Sequence, residues 1–169
     1  TLPKEVVMYE TGDTATNNAL FAAAYSEGPT VIRMAASNYM VQDVCLFLQK
    51  LGVKVEGIGT STVTVHGLAN PVNKRVKYRV TEDPLEAMLF ITASIVTNSE
   101  VTLQRCPIDF LLRELLVLEK MGVSFKKSEP YTAHNGFTRL VDITVLKHGQ
   151  LVAPPEKIHP MPYPGINID

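Results

Sequence analysis

The sequence predicts an α+β fold made of two βαβαββ units, and two observations support this. The chain matches itself at a shift of 70 positions, so that "LFLQKLGVKV" at 46–55 falls on "LVLEKMGVSF" at 116–125. Within each copy, apolar residues recur with the period of a strand and of a helix in the same order along the chain. An internal duplication therefore sets the architecture.

The first copy begins with a β-rich approach at 5–10, followed by a helix at 14–26 and a strand at 30–35. A second helix at 38–51 ends at Gly52, because glycine readily adopts the left-handed conformation that closes helices. The segments "VKVEG" and "TVTVHG" then alternate apolar and polar residues, which predicts a pair of strands.

The second copy repeats this order, and its elements fall at corresponding places. We expect a β approach, a helix, a strand and a helix closed by Gly122, at 76–80, 84–97, 100–105 and 107–121. Pro, Asn and Gly in "SEPYTAHNGFTR" mark a loop that stretches the last hairpin. The predicted units span 1–75 and 76–150, and a loop segment fills 151–169.

The segment "EDPLE" at 82–86 has the pattern of a helix start. Asp83 is placed to cap the helix, Pro84 fits the first helical position, and Glu86 completes a capping box. This structural interpretation is sufficient, so we assign no ligand contact there.

Composition limits the classes of partner. Hydrophobic residues make up 46% of the chain and charged residues 20%, which is typical of a globular protein. A net charge of -1 provides no long-range field for nucleic acid or an anionic membrane. No apolar run reaches the length of a spanning helix and no leader opens the chain, so neither a membrane nor a nucleic acid is expected as a partner.

Neither the cysteines nor the histidines form a pattern typical of a metal site. Cys45 and Cys106 lie in apolar stretches without a CxxC motif, which predicts buried thiols in a reducing compartment and favours the cytoplasm. The histidines are scattered over strand ends and loops, and we expect them at the surface: His66, His134, His148 and His159. No metal and no cofactor are predicted.

The helical segments "ALFAAAY" and "AMLFITASIV" are apolar nearly all the way round. A helix that covers one face of one sheet needs only one apolar stripe. We therefore expect these helices to be covered on several sides, either by further units or by self-association.

Four stretches resemble a known family in order along the chain: "TATNNALFAAAYSEGPTVIRMAA", "VQDVCLFLQKLGVKVEGIGTSTVTVHG", "YRVTEDPLEAMLF" and "PMPYPGINID". Together they resemble the enolpyruvyl transferases, and among these the enzymes that act on UDP-N-acetylglucosamine. The resemblance implies an inside-out α/β arrangement of six βαβαββ units in two lobes, with helices inside and sheets outside. This chain would supply the last unit of one lobe and the first whole unit of the other.

The resemblance also implies an activity. The whole enzyme would transfer the enolpyruvyl group of phosphoenolpyruvate to a hydroxyl of UDP-N-acetylglucosamine in peptidoglycan synthesis. The family's catalytic Cys loop and the residues that clamp phosphoenolpyruvate lie outside the matched stretch, so the isolated chain is expected to be inactive. The alternative is a non-catalytic nucleotide-binding or assembly module built from the same unit.

The stretch "TGDTATNN" at 11–18 is the first candidate site, because it opens a helix whose free N–H groups favour an anion. Gly12 would let a phosphate approach the backbone. The competing interpretation is that Asp13 or Thr14 only caps the helix. By resemblance this turn contacts the diphosphate through Thr11, Gly12, Asp13 and Thr14, and Thr16 supports it. Asp13 departs from the family pattern, since a carboxylate repels a diphosphate.

Asp169 is the candidate catalytic residue. From the residues alone it is a solvated acid after a proline-rich run. The resemblance matches it to the Asp of the family's "YPGFPTD" segment, which lies beside the sugar hydroxyl that attacks phosphoenolpyruvate. A carboxylate there can orient that hydroxyl and accept its proton.

Overall fold

The computed structural model describes residues 3–68, 75–154 and 156–166. They fall into two compact units. The first unit runs through Tyr78 and also includes Pro162–Pro164, and the second unit begins at Arg79. Each unit has its own cluster of buried apolar side chains.

The first unit has the predicted order βαβαββ. Its elements are β1 (Glu5–Val7), α1 (Asp13–Ala24), β2 (Gly28–Arg33), α2 (Tyr39–Leu51), β3 (Lys54–Glu56) and β4 (Thr62–Gly67). The sheet order is β1-β2-β4-β3, with β1 parallel to β2 and the other neighbours antiparallel. The β approach ends at Val7, before the predicted 10, and the bounds of the other elements lie within two residues of those predicted.

Alternation along β2 and β4 decides which face of the first sheet meets the helices. Thr30 and Ile32 of β2 and Val63 and Val65 of β4 are buried, while their neighbours along each strand are more exposed. Side chains alternate between the faces of a strand, so these residues form one apolar face against α1 and α2. At the end of β4, a Cβ on Gly67 would lie 1.8 Å from the carbonyl oxygen of Ser26, so glycine is required there.

The second unit contains α3 (Pro84–Val96), β5 (Val101–Pro107), a 3-10 turn (Ile108–Phe110), α4 (Leu112–Lys120), β6 (Phe125–Lys127), β7 (Tyr131–Thr132) and β8 (Arg139–Val145). β8 pairs antiparallel with β5, β6 and β7. The helix predicted at 107–121 is therefore shorter than expected, because its first turn has 3-10 geometry.

The strand predicted at 76–80 is wrong, since the residues from 75 to 83 have no regular secondary structure. Tyr78 explains the difference. Its ring packs edge-on against Phe47 of α2, with 5.6 Å between centroids, and its hydroxyl donates a 2.9 Å hydrogen bond to Oδ1 of Asp43. These contacts hold the segment against α2, so local alternation did not decide its conformation.

The helix boundaries expected from single residues are confirmed. The side chain of Asp83 accepts hydrogen bonds from the amides of Leu85 and Glu86 at 2.8 and 3.4 Å, and Pro84 opens α3. Gly52 and Gly122 have φ values of 101° and 103°, the left-handed conformation that ends α2 and α4.

Large apolar side chains remain exposed on α3. Leu89, Phe90 and Val96 are 65%, 52% and 80% exposed. The apolar character of this helix on all sides is therefore not accounted for by burial within the described residues. None of the helices in the described parts of the chain is long and apolar enough to cross a membrane.

His148 closes the C-terminal end of α3. Its Nε2 lies 2.9 Å from the carbonyl oxygen of Ile95, and its Nδ1 lies 2.7 Å from that of Gly149. Asn98 holds the same residue in place, because its Oδ1 accepts a hydrogen bond from the His148 amide at 3.0 Å. Only a protonated imidazole can donate from both ring nitrogens. The two carbonyl oxygens, that of Ile95 first, raise the pKa of His148 above its ordinary value of 6.5.

We predict that this contact stabilises the fold at low pH. A histidine whose pKa is higher in the folded chain contributes stability that is complete below its unfolded pKa, and this stability is lost as the pH rises through the folded pKa. Urea unfolding at a series of pH values should show this loss for the parent chain, and it should be absent in His148→Gln. A pKa of His148 in NMR titration at or below that of histidine in the urea-unfolded chain would contradict the prediction.

Candidate functional site

The turn before α1 is shaped by the main chain. Gly12 is the residue before the helix, with extended dihedral angles φ −97° and ψ 137°, and no side chain caps the helix. The interpretation that Asp13 or Thr14 caps α1 is therefore wrong, because Asp13 is already the first helical residue. The amides of the first turn have no side-chain cap, and such amides favour an anion.

Thr16 is the polar centre of this turn. It is fully buried, its Oγ1 donates a 2.7 Å hydrogen bond to the carbonyl oxygen of Gly12, and the same oxygen accepts a 3.0 Å bond from the amide of Ala36. The hydroxyl thus joins the start of α1 to the loop between β2 and α2. A buried polar group placed in this way satisfies two partners at once.

The proline-rich tail reaches the same loop. Oγ of Ser37, next to Ala36, donates a 3.3 Å hydrogen bond to the carbonyl oxygen of Tyr163. The first unit therefore brings the Gly12 turn, the β2–α2 loop and Tyr163 together. Asp169, the candidate catalytic residue, lies outside the described residues.

Two carboxylates belong to the turn region. Oε1 of Glu10 lies 3.4 Å from the position that a Cβ on Gly12 would take, and Asp13 is in the first turn of α1. Thr11 and Asp13 are half-buried, whereas Thr14 is exposed. The electrostatics of the side chains thus oppose the attraction of the helix amides for an anion.

Sequence reasoning missed one polar group near the turn. Oδ1 of Asn17, on α1, is buried and has no hydrogen-bond partner in the described residues. A buried hydrogen-bond acceptor without a donor lowers the stability of the fold, and this one lies on the same helix as the candidate turn. The "NN" pair at 17–18 carried no distinctive signal in the sequence.

A cleft of about 480 Å3 in the second unit was also missed. It lies between the start of α3 and strand β5 and is lined by Glu82, Glu86, Phe90 and Arg105, among others. Arg105 forms an ion pair with Oε1 of Glu82, and its amide donates a 2.9 Å hydrogen bond to Oδ1 of Asp142. Arg105 has a φ of 63° at an irregularity of β5, which no sequence pattern indicated.

The cysteines offer no nucleophile. Both are free and buried, as predicted. Burial raises the pKa of the Cys45 thiol to about 12 and that of Cys106 to about 11, so both stay protonated near neutral pH. The described residues contain no cluster of three or more His, Cys, Asp or Glu that could hold a metal ion.

Most of this chain is similar in sequence to known proteins. A protein named UDP-N-acetylglucosamine 1-carboxyvinyltransferase from Finegoldia magna is 32% identical over 155 residues, which is 92% of this chain and 34% of that protein. A protein of the same name from Bradyrhizobium diazoefficiens is 38% identical over 119 residues, 70% of this chain and 27% of its own length. The chain thus spans about a third of the length of these relatives.

Solved structures share the fold. The enolpyruvyl transferase NikO from Streptomyces tendae matches with a TM-score of 0.64 at 20% identity, covering 85% of this chain and 34% of NikO. EPSP synthase from Acinetobacter baumannii matches with a TM-score of 0.65 at 18% identity, covering 85% of this chain and 31% of that enzyme. At these identities the likeness concerns the fold alone.

The predicted resemblance to enolpyruvyl transferases is confirmed by these matches. The family model described as EPSP synthase (3-phosphoshikimate 1-carboxyvinyltransferase) matches residues 8–169, which is nearly the whole sequence. This match extends over both units and the proline-rich tail, and by it the chain belongs to the EPSP synthase family.

Proposed function

We propose that this chain is part of an enzyme that transfers the enolpyruvyl group of phosphoenolpyruvate to a hydroxyl of UDP-N-acetylglucosamine in peptidoglycan synthesis. The observation that carries the proposal is the match of 92% of the chain, in order, to a protein named UDP-N-acetylglucosamine 1-carboxyvinyltransferase. Because the chain spans about a third of that relative, we assign the activity to a longer protein. The two free, buried cysteines favour a reducing compartment, so we assign this protein to the cytoplasm.

Within that protein, we assign the Gly12 turn to the diphosphate of the sugar nucleotide. The extended Gly12 and the first turn of α1 supply main-chain N–H groups that no side chain caps. Thr11, Asp13 and Thr14 complete the contact through their backbone, and buried Thr16 holds the turn. Because like charges at short range repel, the Glu10 carboxylate, which lies beside Gly12, must turn away when the diphosphate binds, and the Asp13 carboxylate must face away from it.

Asp169 acts as the base, or as the group that orients the attacking sugar hydroxyl. The contact between Ser37 and Tyr163 supports this assignment, because it ties the tail that leads to Asp169 to the loop beside the Gly12 turn. The diphosphate and the reacting hydroxyl belong to one substrate, so their two sites must lie within reach of one another.

The remaining units of the enzyme cover the apolar helix surfaces. Phe21 on α1 and Leu89 on α3 are examples of large side chains left exposed, and a patch of this kind marks an interaction site. The αβαβ order that the two units share, from α1 and from α3 onward, supports a duplication, with copies at 1–75 and 76–150 followed by the segment 151–169.

The first prediction concerns Gly12→Val in the longer protein. The extended backbone at Gly12 accepts a branched residue, and a Cβ would meet Glu10 only at ordinary contact distance, so folding should be unaffected. The side chain should block the approach of a phosphate and weaken UDP-N-acetylglucosamine binding roughly 10- to 100-fold, the value of a hydrogen bond to a charged group. Calorimetric titration measures this affinity.

Gly149→Val is the control, because a Cβ there meets no atom within 4 Å. Equal affinities of the two variants would remove the turn from the site.

The second prediction separates support from binding. Thr16→Val keeps the shape of the side chain but leaves the amide of Ala36 without its acceptor. Loss of a buried partner costs about 1–3 kcal/mol of unfolding free energy. Urea unfolding should show this loss for Thr16→Val. Thr14→Val should change stability by less than about 0.5 kcal/mol, since Thr14 is exposed. A loss of the same size in both variants would show that the bond between Thr16 and Ala36 contributes nothing.

The third prediction tests Asp169. Asp169→Asn keeps the size and hydrogen bonding of the side chain but removes the proton acceptor. Turnover of the longer protein should fall about 100-fold or more, while its affinity for UDP-N-acetylglucosamine changes little. Glu129→Gln, in an exposed loop, removes a carboxylate elsewhere and should have no effect. Full turnover of Asp169→Asn would return Asp169 to the status of a solvated acid.

A further inference from the structure

The two sheets differ at one edge. In the first unit, β2 is paired on both sides, with β4 on one edge and the parallel strand β1 on the other. In the second unit, β5 occupies the corresponding place next to β8, but within the described residues its other edge has no strand. An open edge presents a row of main-chain donors and acceptors to any extended segment.

The cleft in the second unit runs along this open edge. Its walls are β5 from Val101 to Cys106 and the first turns of α3, including Ala87 and Phe90. In the first unit the corresponding space is occupied, because β1 lies there and Met8, directly after it, packs against the buried cluster. The cleft therefore has the position of a missing strand.

The segment of this chain that corresponds to β1 by the 70-residue shift does not fill the cleft. Residues 75–80 form no strand, and Tyr78 among them is held by Phe47 and Asp43 of α2. A second copy of the chain fits poorly as well. The cleft carries Glu82, Asp83 and Glu86 against the single cation Arg105, so two such edges would repel each other.

We propose that the open edge of β5 receives a β-strand from the part of the longer protein outside this chain, running parallel to β5 as β1 runs parallel to β2. This inference rests on the proposed function in one respect, because it requires a longer protein. The chain spans about a third of the length of its relatives. The strand adds main-chain hydrogen bonds to β5. Its inward side chains are apolar, to meet Ala87 and Phe90, and it carries a basic residue near Glu82 and Glu86.

The register of the first unit identifies the groups that bind this strand. In β2, the main-chain groups of Val31 and Arg33 face β1. The amide of Val31 donates a hydrogen bond to the carbonyl oxygen of Lys4, and the carbonyl oxygen of Arg33 accepts one from the amide of Met8. Val31 stands opposite Thr64, as Thr102 stands opposite Thr144 on the outer face of the second sheet. By this correspondence the main-chain groups of Thr102 face the open edge.

Hydrogen exchange measured by mass spectrometry on the 169-residue chain and on the longer protein tests the proposal. Peptides that cover 101–105 should exchange at least about 10-fold more slowly in the longer protein, because the edge amides gain partners. Peptides from 28–33 should exchange equally in both, since β2 already has a strand on each side. In the longer protein, Thr102→Pro should abolish the added protection, whereas Thr102→Val, which keeps the N–H, should retain it.

Three results would overturn the proposal. The first is exchange in 101–105 that is equal in the chain and in the longer protein. The second is protection of 75–80 that appears together with that of 101–105, which would make the chain's own segment the occupant. The third is protection in the chain alone that rises with protein concentration, which would indicate edge pairing between two copies.

Transferase turnover is measured on the same longer protein. An inactive protein with a protected β5 refutes the proposed function alone, and an active protein with an unprotected β5 refutes this inference alone.

Discussion

The buried hydroxyl of Thr16 is the contact on which the arrangement of the candidate site depends. It joins the carbonyl oxygen of Gly12 to the amide of Ala36 through one oxygen atom, and Ser37 beside it bonds to Tyr163. A buried polar group must be satisfied, so the start of α1 and the β2–α2 loop cannot move apart without exposing or orphaning these atoms. The stiffness of the turn thus comes from a side chain that need not touch a ligand itself.

From its first helix onward the second unit repeats the αβαβ order of the first unit, yet it presents a different surface. Its β5 has an irregularity between Leu103 and Cys106, where Arg105 takes a positive φ and pairs with Glu82. Bulges of this kind re-aim a side chain and interrupt pairing, and they are common at the edges of sheets. The cleft beside β5 and the strand missing from its edge have the same origin, since no described segment pairs with that side of the sheet.

The exposed apolar side chains of α1 and α3 agree with the size of the chain relative to its family. A helix that is apolar all round is stable only where neighbours cover it, and relatives of this chain are about three times as long. These exposed side chains would be a liability in a protein consisting of the two units alone, which is why we propose that further units cover them.

The sequence by itself determined the features that depend on short stretches. The helix ends at Gly52, Gly122 and Asp83 follow from local backbone preferences, and the alternation in "TVTVHG" correctly placed β4. The family was likewise recognisable from the sequence, because its motifs occur in the same order along the chain. Only the tertiary structure decided that residues 75–80 are not a strand, that Thr16 joins two segments, and that Arg105 faces Glu82. Each of these outcomes depends on a partner at least 20 positions away in the chain, and a local pattern contains no information about such a partner.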